Sequence, residues 1–303
     1  MKNQLLKLLF LFLALNLSNA QQWMTSLPVA QDLALVQNKM VLMVWEESTN
    51  YPYSILVNDD KGRTIRIKNL FEDENVSSLI WKSFVPVIVS ETMYTRMYNK
   101  IKNSHAQSYI DKFHDNSIKI LDANGNILNV SRSSGYLLNQ NISDIILTYA
   151  LETEFMETEL RAYRMKKDFY SAYYLASKYL DYALYAKGNN KSDFVGQSDI
   201  YLDDSINLLA SDSLQNKTAL KKRAELLKLQ GDLMLRHSTK EVLKELRRLE
   251  KKGVEEINES MLAFLYFTSY ACMGDMRDAN AWRSKVSSLD LKKAQLIINI
   301  IKS

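Results

Sequence analysis

The stretch that decides the fold of the first half is MVLMVWEESTNY, which runs from Met40 to Tyr51. Its first six residues, Met40 to Trp45, are all apolar, and so short a run before polar residues predicts a buried β-strand. The residues that follow are polar and predict a loop. Before the stretch, apolar residues recur at helical spacing between Leu27 and Asn38. The sequence therefore predicts a helix that leads into a buried strand.

Strand and helix patterns continue to alternate up to about residue 130. Two β-prone segments on either side of the turn-rich sequence NDDKG predict a hairpin, and a second apolar run, FVPVIV, predicts another buried strand. Asn124-Gly125 predicts a further hairpin, because Asn-Gly accepts the positive φ angles of a type I′ turn. In chain order, the predicted elements are a hairpin over 53–57 and 64–67, a helix over 71–81, a strand over 84–89, helical segments within 92–113 and a hairpin over 118–122 and 127–130.

The second half shows helical periodicity nearly to its end. The pattern starts at Ile142 and is interrupted near 187–193, 210–216, 237–239, 253 and 274. This change of pattern predicts two domains: an α/β domain over residues 21–150 and an all-α domain over residues 151–303, with the boundary near Glu152.

The order of elements in the first half resembles that of thioredoxin-like domains, in particular the exported bacterial type that is similar to disulfide-interchange proteins. Four pieces occur in the family's order: the strand that leads to the redox motif, the helix and strand that follow it, the closing hairpin and the last helix, at residues 38–45, 71–76 with 84–87, 121–126 and 142–147. The resemblance covers roughly residues 23 to 150 and implies a thioredoxin-like fold.

The residues that carry the chemistry of that family are missing here. Five residues stand at the position of its Cys-x-x-Cys motif: Glu47, Ser48, Thr49, Asn50 and Tyr51. The segment 51–67 then looks like an insertion, and Asn116-Ser117 stands where the family has a cis-proline. Disulfide exchange requires a thiolate, and serine or threonine hydroxyls cannot replace it. The sequence therefore predicts a scaffold without redox activity.

The first twenty residues have the pattern of a secretory signal peptide. A charged start is followed by an apolar run from Leu8 to Leu17 and by small residues at Ser18 and Ala20. The run is about half the length of roughly 20 residues that a membrane-spanning helix needs, and no cysteine follows it to carry a lipid. We therefore expect residues 1–20 to be removed, and the mature chain to be periplasmic or secreted without a membrane anchor.

Charge and motifs exclude several classes of function. The formal net charge of +4 is too small to predict binding to nucleic acid or to an anionic membrane. His105 and His114 are too isolated to predict a zinc site, and the chain has no phosphate-binding or nucleophile-elbow motif, so we expect no metal and no cofactor. The single cysteine, Cys272, excludes an intramolecular disulfide and is expected to pack as a small buried thiol.

Three short turns recur in the helical half, each with an aspartate before or within a helix start. They lie at 167–169, 231–233 and 274–276 and resemble the turns of degenerate tetratricopeptide repeats. The spacing between them is irregular, so an ordinary helical bundle stays open as the alternative.

The helical half also holds the densest tyrosine cluster, with six tyrosines from Tyr170 to Tyr185. Tyrosine suits partner surfaces because its ring buries area while its hydroxyl keeps one polar group. We select Tyr170, Tyr174 and Tyr182 as candidate residues of a surface that binds a protein or peptide.

Two functions follow from these observations. The first is a non-catalytic exported scaffold or adaptor that binds another protein or a peptide. The second is an exported enzyme of thiol-disulfide ancestry that has recruited other catalytic residues, for which His114 and Asp115 are the candidates.

Overall fold

The computed structural model describes residues 22–130, 140–186, 190–211, 214–235 and 239–302. The predicted signal peptide lies outside this range, as do parts of the predicted helix breaks near 187–193, 210–216 and 237–239.

The chain forms two compact units. The first contains the described residues 22–127 and 140–153, and the second contains 128–130 with the described residues from 154 onward. Small mixed sheets occur in the first unit, whereas the second is rich in helix. An α/β half is therefore followed by an α-helical half, as the sequence predicts.

The first unit is organised around a three-stranded sheet in the order β4-β1-β5. Strand β1 (Met40–Trp45) pairs in parallel with β4 (Phe84–Val89) and antiparallel with β5 (Lys119–Leu121). All six residues of β1 are buried, which explains why the strand is a continuous apolar run. Single bridges extend the sheet at its edges, from Met24 in parallel on the β4 side and from Ile127 antiparallel on the β5 side. The strands predicted from the two apolar runs are confirmed.

The helices of the first unit are α1 (Leu27–Gln37), α2 (Glu74–Ser83), α3 (Glu91–Ile101), α4 (Gln107–His114) and α5 (Ile142–Tyr149). Helix α1 has a proline in its first turn and ends at Asn38, whose φ of 53° lies in the left-handed region that asparagine tolerates. The carboxylate of Asp73 caps α2 by accepting from the backbone N–H of Val76 at 3.0 Å. The helices predicted before β1 and before β4 are confirmed.

A second small sheet follows the loop after β1. Strands β2 (Ile55–Asn58) and β3 (Thr64–Ile67) form the predicted hairpin, and β6 (Gln140–Asn141) lies parallel to β2. Asp59 holds the turn, because its carboxylate accepts from the backbone N–H of Arg63 at 2.8 Å and pairs with the guanidinium of the same residue. These bonds from Arg63 lower the pKa of Asp59.

The predicted type I′ turn at Asn124-Gly125 is wrong. Between Asp122 and Asn126, positive φ occurs at Gly125 alone, at 94°. The carboxylate of Asp122 instead organises the loop, accepting from the backbone N–H groups of Asn124 at 2.9 Å and Asn126 at 3.0 Å. The chain then returns to the sheet through one bridge at Ile127 rather than through the predicted strand.

The second unit consists of helices α6 (Glu157–Met165), α7 (Phe169–Tyr185), α8 (Lys191–Ser211), α9 (Lys217–Met234), α10 (Thr239–Lys251), α11 (Glu256–Cys272), α12 (Met276–Arg283) and α13 (Ser288–Lys302). Its core contains aromatic pairs, such as Tyr179 of α7 stacked on Tyr201 of α8 with ring centroids 5.7 Å apart. Both of these side chains are fully buried. In the part of the chain that the structure describes, no helix is long and apolar enough to cross a membrane.

Two of the three predicted repeat turns lie between helices. Asp168 caps α7 through a capping box, and Asp275 caps α12 directly after Gly274. The third prediction is wrong, because Gly231 lies inside α9. A Cβ at Gly231 would lie 3.0 Å from Cγ1 of Val195, so the missing side chain lets α8 and α9 approach closely.

Candidate functional site

The loop after β1 stands where the resemblance places the redox motif. Glu46–Thr49 form a 3-10 helix, in which the hydroxyl of Thr49 donates to the carbonyl of Glu46 at 2.8 Å. The backbone N–H of Glu47 donates to the carboxylate of Glu91 on α3 at 3.3 Å. The side chains of Glu46 and Glu47 are exposed. The backbone of the loop is hydrogen-bonded to helix α3.

The remaining polar residues of this loop are not arranged for nucleophilic catalysis. The Ser48 hydroxyl has no hydrogen-bond partner in the part of the chain that the structure describes, so no base activates it. Asn50 and Tyr51 are exposed, and Tyr51 is 77% accessible. This position offers neither a thiol nor an activated hydroxyl.

The segment Asn116-Ser117, aligned with the cis-proline by the resemblance, is held by two buried lysines. The ammonium of Lys119 on β5 donates to the Asp115 carboxylate at 3.0 Å and to the Ser117 carbonyl at 2.9 Å, and also to the Asp115 carbonyl. The ammonium of Lys112 on α4 donates to the Ser117 hydroxyl at 2.6 Å. The side chains of Lys119 and Lys112 are 0% and 1% exposed. We call Lys112, Asp115, Ser117 and Lys119 the lysine cluster.

Burial shifts the pKa values of the lysine cluster, and the ion pairs within the cluster oppose it. Burial lowers the pKa of Lys119 to about 8, although the carboxylate of Asp115 acts in the opposite direction. Burial also acts to raise the pKa of Asp115, but the two lysines and Ser117 outweigh it, so this pKa lies below 3.8. Asp115 thus pairs with both lysines, but burial remains the main reason that Lys119 is easy to deprotonate.

The hairpin and β6 cover the backbone of the same segment. The hydroxyl of Tyr53 donates to the carbonyl of Asn116 at 2.9 Å and accepts from the Gln140 amide at 2.6 Å. The other end of the Gln140 side chain accepts from the backbone N–H of Ile118 at 3.0 Å. Burial raises the pKa of Tyr53, so its hydroxyl stays protonated. The carbonyl of Asn116 and the N–H of Ile118, just before β5, therefore have partners within the first unit.

The structure does not bring His114 and Asp115 together as an acid–base pair. The exposed ring of His114 contacts the hydroxyl of Tyr94 through Nδ1 and lies 5.0 Å from the ring of Tyr98. Asp115 faces the lysines instead. His105 packs against Tyr109 with ring centroids 4.3 Å apart. Among the described residues, no three His, Cys, Asp or Glu side chains are grouped to hold a metal ion.

An exposed row of aromatic side chains runs along α7. Tyr170 and Tyr174 are 41% and 50% exposed, and their rings stack with centroids 6.3 Å apart. Phe155, before α6, is 49% exposed, and Tyr185, at the end of α7, is 73% exposed. Spacings of four, eight and three residues place Tyr170, Tyr174, Tyr182 and Tyr185 on one side of the helix. We call these four tyrosines and Phe155 the aromatic stripe.

Tyr182 differs from the other two selected tyrosines. It is only half-buried, but its ring lies between two others, edge-on to Phe155 at 5.4 Å and stacked on Phe194 at 6.0 Å. Lys178 completes the middle of the stripe, with its ammonium 4.2 Å from the ring centroid of Phe155. Tyr182 therefore packs within the helical unit, whereas Tyr170 and Tyr174 are the more exposed of the three tyrosines.

Cys272 is half-buried at the end of α11, rather than fully buried as predicted. Burial raises the pKa of its thiol to about 11. Because the thiolate is the reactive form, this cysteine is a weak nucleophile at neutral pH.

Sequence reasoning missed the lysine cluster. In the segment IKILD, the alternation of Lys119 with apolar residues is typical of a strand with one face in water, and gives no sign of burial. Asp115 was singled out, but with His114 as its partner. The comparisons with known proteins add no identification: no family model, no curated protein and no solved structure matches the chain at a significant level.

Proposed function

We propose that this chain is a non-catalytic exported scaffold, in which a thioredoxin-like domain without redox chemistry is joined to a helical domain that binds a protein or peptide. The sheet order supports the first part. A buried central strand, a parallel neighbour on one side and an antiparallel neighbour on the other, with Met24 and Ile127 at the edges, is the arrangement that a thioredoxin-like fold requires.

The local chemistry supports a scaffold rather than an enzyme. Ser48 has no activating base, and Asp115 is engaged by Lys119 and Lys112. His114 has a tyrosine as its partner. The thiol of Cys272 has a raised pKa. We therefore expect no insulin reduction with dithiothreitol above the buffer rate, and no change in that result for Cys272→Ser; turnover that depends on Cys272 would contradict the proposal.

The observation that carries the binding proposal is the aromatic stripe. Exposed aromatic rings contribute little to the stability of the unit that carries them, yet they are the residue type that dominates binding energy at protein contacts. Tyr170 and Tyr174 stack on each other and are both exposed on α7, and Tyr182 of the same helix contacts Phe155. The partner is expected to lay an apolar or aromatic segment across these rings.

Site-specific photocrosslinking tests this proposal. A chain with p-benzoylphenylalanine in place of Tyr174 should give a discrete adduct when it is irradiated in the exported fraction of its host. The same photoreactive residue in place of Leu289, which is 72% exposed in the same unit, serves as the matched control and should give none.

Alanine variants then separate binding from folding. Tyr170→Ala should weaken the adduct at position 174 roughly thirtyfold, because a tyrosine hot spot contributes about 2 kcal/mol, and should leave thermal unfolding nearly unchanged. Tyr179→Ala, which removes a fully buried ring, should instead destabilise the helical unit by about 3–5 kcal/mol. Equal adducts at positions 174 and 289, or a loss of stability in Tyr170→Ala like that in Tyr179→Ala, would show that the stripe is not the binding surface.

A further inference from the structure

Strand β3 is the outer strand of the second sheet, whose order is β3-β2-β6. Its antiparallel partner β2 covers one edge over the whole length of the strand. Within the described residues, no strand or bridge pairs with the other edge of β3. The side chains of Thr64, Ile65 and Arg66 are exposed. β3 therefore presents an open edge to solvent.

The pairing with β2 decides which backbone groups lie at this open edge. In an antiparallel pair, residues that bond to the partner strand alternate with residues whose N–H and C=O point away from it. At the turn, the backbone N–H of Asp59 donates to the carbonyl of Arg63 at 2.9 Å. Arg63 and, two residues further on, Ile65 therefore face β2, and the N–H and C=O groups of Thr64 and Arg66 point outward. These outward groups have no hydrogen-bond partner in the part of the chain that the structure describes.

Positive charge is concentrated along the open edge. Segment 61–68 contains no acidic residue and four basic ones, Lys61, Arg63, Arg66 and Lys68. The charge of Arg63 is paired with Asp59. The other three basic side chains are exposed and form no ion pair with the described residues, and Asp60 at the tip of the turn offsets one of their charges. The edge therefore carries a net positive charge.

The two faces of β3 also differ in chemistry. Side chains alternate along a strand, so Thr64 and Arg66 lie on one face, whereas Ile65 and Ile67 lie on the other. Ile65 is 46% exposed. Opposite charges across a strand pair are stabilising and like charges are destabilising. A second copy of β3 would bring basic residues against basic residues, so an acidic strand is the better occupant of this edge.

We propose that β3 binds an extended peptide, which adds an antiparallel strand to the second sheet with acidic residues on the side of Arg66 and apolar residues on the side of Ile65. Strand addition obtains its affinity from backbone hydrogen bonds and its specificity from alternate side chains. Basic side chains at a sheet edge also discourage neutral or basic strands, which adds selectivity. The site lies in the first unit and rests neither on the aromatic stripe nor on the scaffold proposal.

The probe is a fluorescein-labelled peptide of sequence TEVEVT with blocked ends, and its binding to the full chain is followed by fluorescence anisotropy. It should bind saturably. The counterpart TKVKVT should bind at least about tenfold more weakly, because its charges repel the basic edge.

Methylated peptides test whether the backbone pairs as proposed. In antiparallel pairing, the peptide residues opposite Thr64 and Arg66 direct their N–H groups toward β3, and these residues are the glutamates. N-methylation of both glutamate nitrogens should weaken binding about tenfold or more, because it removes two hydrogen bonds. N-methylation of both valine nitrogens, which point to solvent, is the matched control and should change the affinity less than about threefold.

Variants of the chain locate the site. Arg66→Gln with Lys68→Gln should weaken the acidic peptide about tenfold, and both side chains are exposed, so the fold should survive. Arg96→Gln with Lys100→Gln makes the same change in net charge at exposed positions of α3 and should change the affinity less than about twofold.

Four results would overturn the proposal. The first is that the acidic peptide does not bind, or binds no better than the lysine peptide. The second is that methylation of the glutamates is tolerated as well as methylation of the valines. The third is that the two double variants have the same effect. The fourth is that the parent chain sediments as a dimer which the acidic peptide dissociates, because a second copy would then occupy the edge.

Discussion

Because Lys119 is buried, the free energy of unfolding should depend on pH. The pKa of Lys119 in the folded chain is about 8, compared with 10.5 for an ordinary lysine. Between these two pKa values, Lys119 is protonated in the unfolded chain and has lost its proton in the folded chain. The free energy of unfolding must therefore rise with pH in this window, since stability increases wherever the unfolded state binds more protons.

The size of the effect follows from the two pKa values. Keeping Lys119 charged in its buried site costs about 3 kcal/mol in total, at about 1.4 kcal/mol for each factor of ten in proton affinity. Between pH 7.5 and pH 9 the folded chain loses most of this proton while the unfolded chain keeps it, which should stabilise the chain by about 1 kcal/mol. Above pH 9 the effect is obscured, because the raised pKa values of Cys272 and of buried tyrosines such as Tyr109 reduce stability as pH rises.

Urea unfolding followed by tryptophan fluorescence at pH 7.5, 8.0, 8.5 and 9.0 measures this change. Cys272→Ser is the background, because it removes the opposing contribution of the thiol. Lys119→Met should abolish the rise and should fold, since Asp115 keeps Lys112 as a partner at 3.8 Å. Lys82→Met, which removes an exposed lysine, is the matched control and should keep the rise. Stability that is flat or falls from pH 7.5 to 9, or a rise that survives in Lys119→Met, would refute the reasoning.

Three further substitutions test the local structure by chemical unfolding. Tyr53→Phe should destabilise the first unit by about 0.5–1.5 kcal/mol, because it removes the hydrogen bonds of the hydroxyl to the Asn116 carbonyl and from the Gln140 amide; an unchanged midpoint would contradict these contacts. Asp168→Ala should cost about 1 kcal/mol by removing the cap of α7, and Asp168→Asn should restore most of it. Gly125→Ala should cost about 1 kcal/mol, because the φ of 94° at this position is one that L side chains rarely adopt; a stability equal to that of the parent would exclude this strain.

The sequence predicts the central elements of the first unit well, for a physical reason. A strand buried on both faces must be apolar throughout, so the ends of β1 and β4 coincide with the ends of their apolar runs. The cap of α2 is equally local, because Asp73 accepts from the N–H of Val76 only three residues further on. These features are local, and local sequence determines them.

The parts that sequence reasoning missed depend on which groups meet in the folded chain, whether they are two to four residues apart, as in the loops of Asp115 and Asp122, or on different helices. Lys119 is buried because Asp115 and the carbonyls of its loop supply acceptors, and no pattern along β5 records this. The fragment at 231–233 resembles a tetratricopeptide turn in sequence, but Gly231 lies inside α9, where its role depends on the approach of Val195 from another helix. The acceptor that Asp122 provides inside its own loop likewise outweighed the ordinary preference of Asn-Gly.

The lysine cluster bears directly on where this protein can act. A reactive centre needs a side chain that reaches its substrate and a partner that moves a proton. Lys119 has a pKa near neutral, as a catalytic base would, but its side chain is 0% exposed and all of its hydrogen bonds go to the loop beside it. Tyr53 and Gln140 form hydrogen bonds with the backbone of the same loop, at Asn116 and Ile118. The buried ion pairs and hydrogen bonds of the lysine cluster therefore hold the loop in place. The binding surface that we propose for the function of this chain, the aromatic stripe, lies in the helical unit.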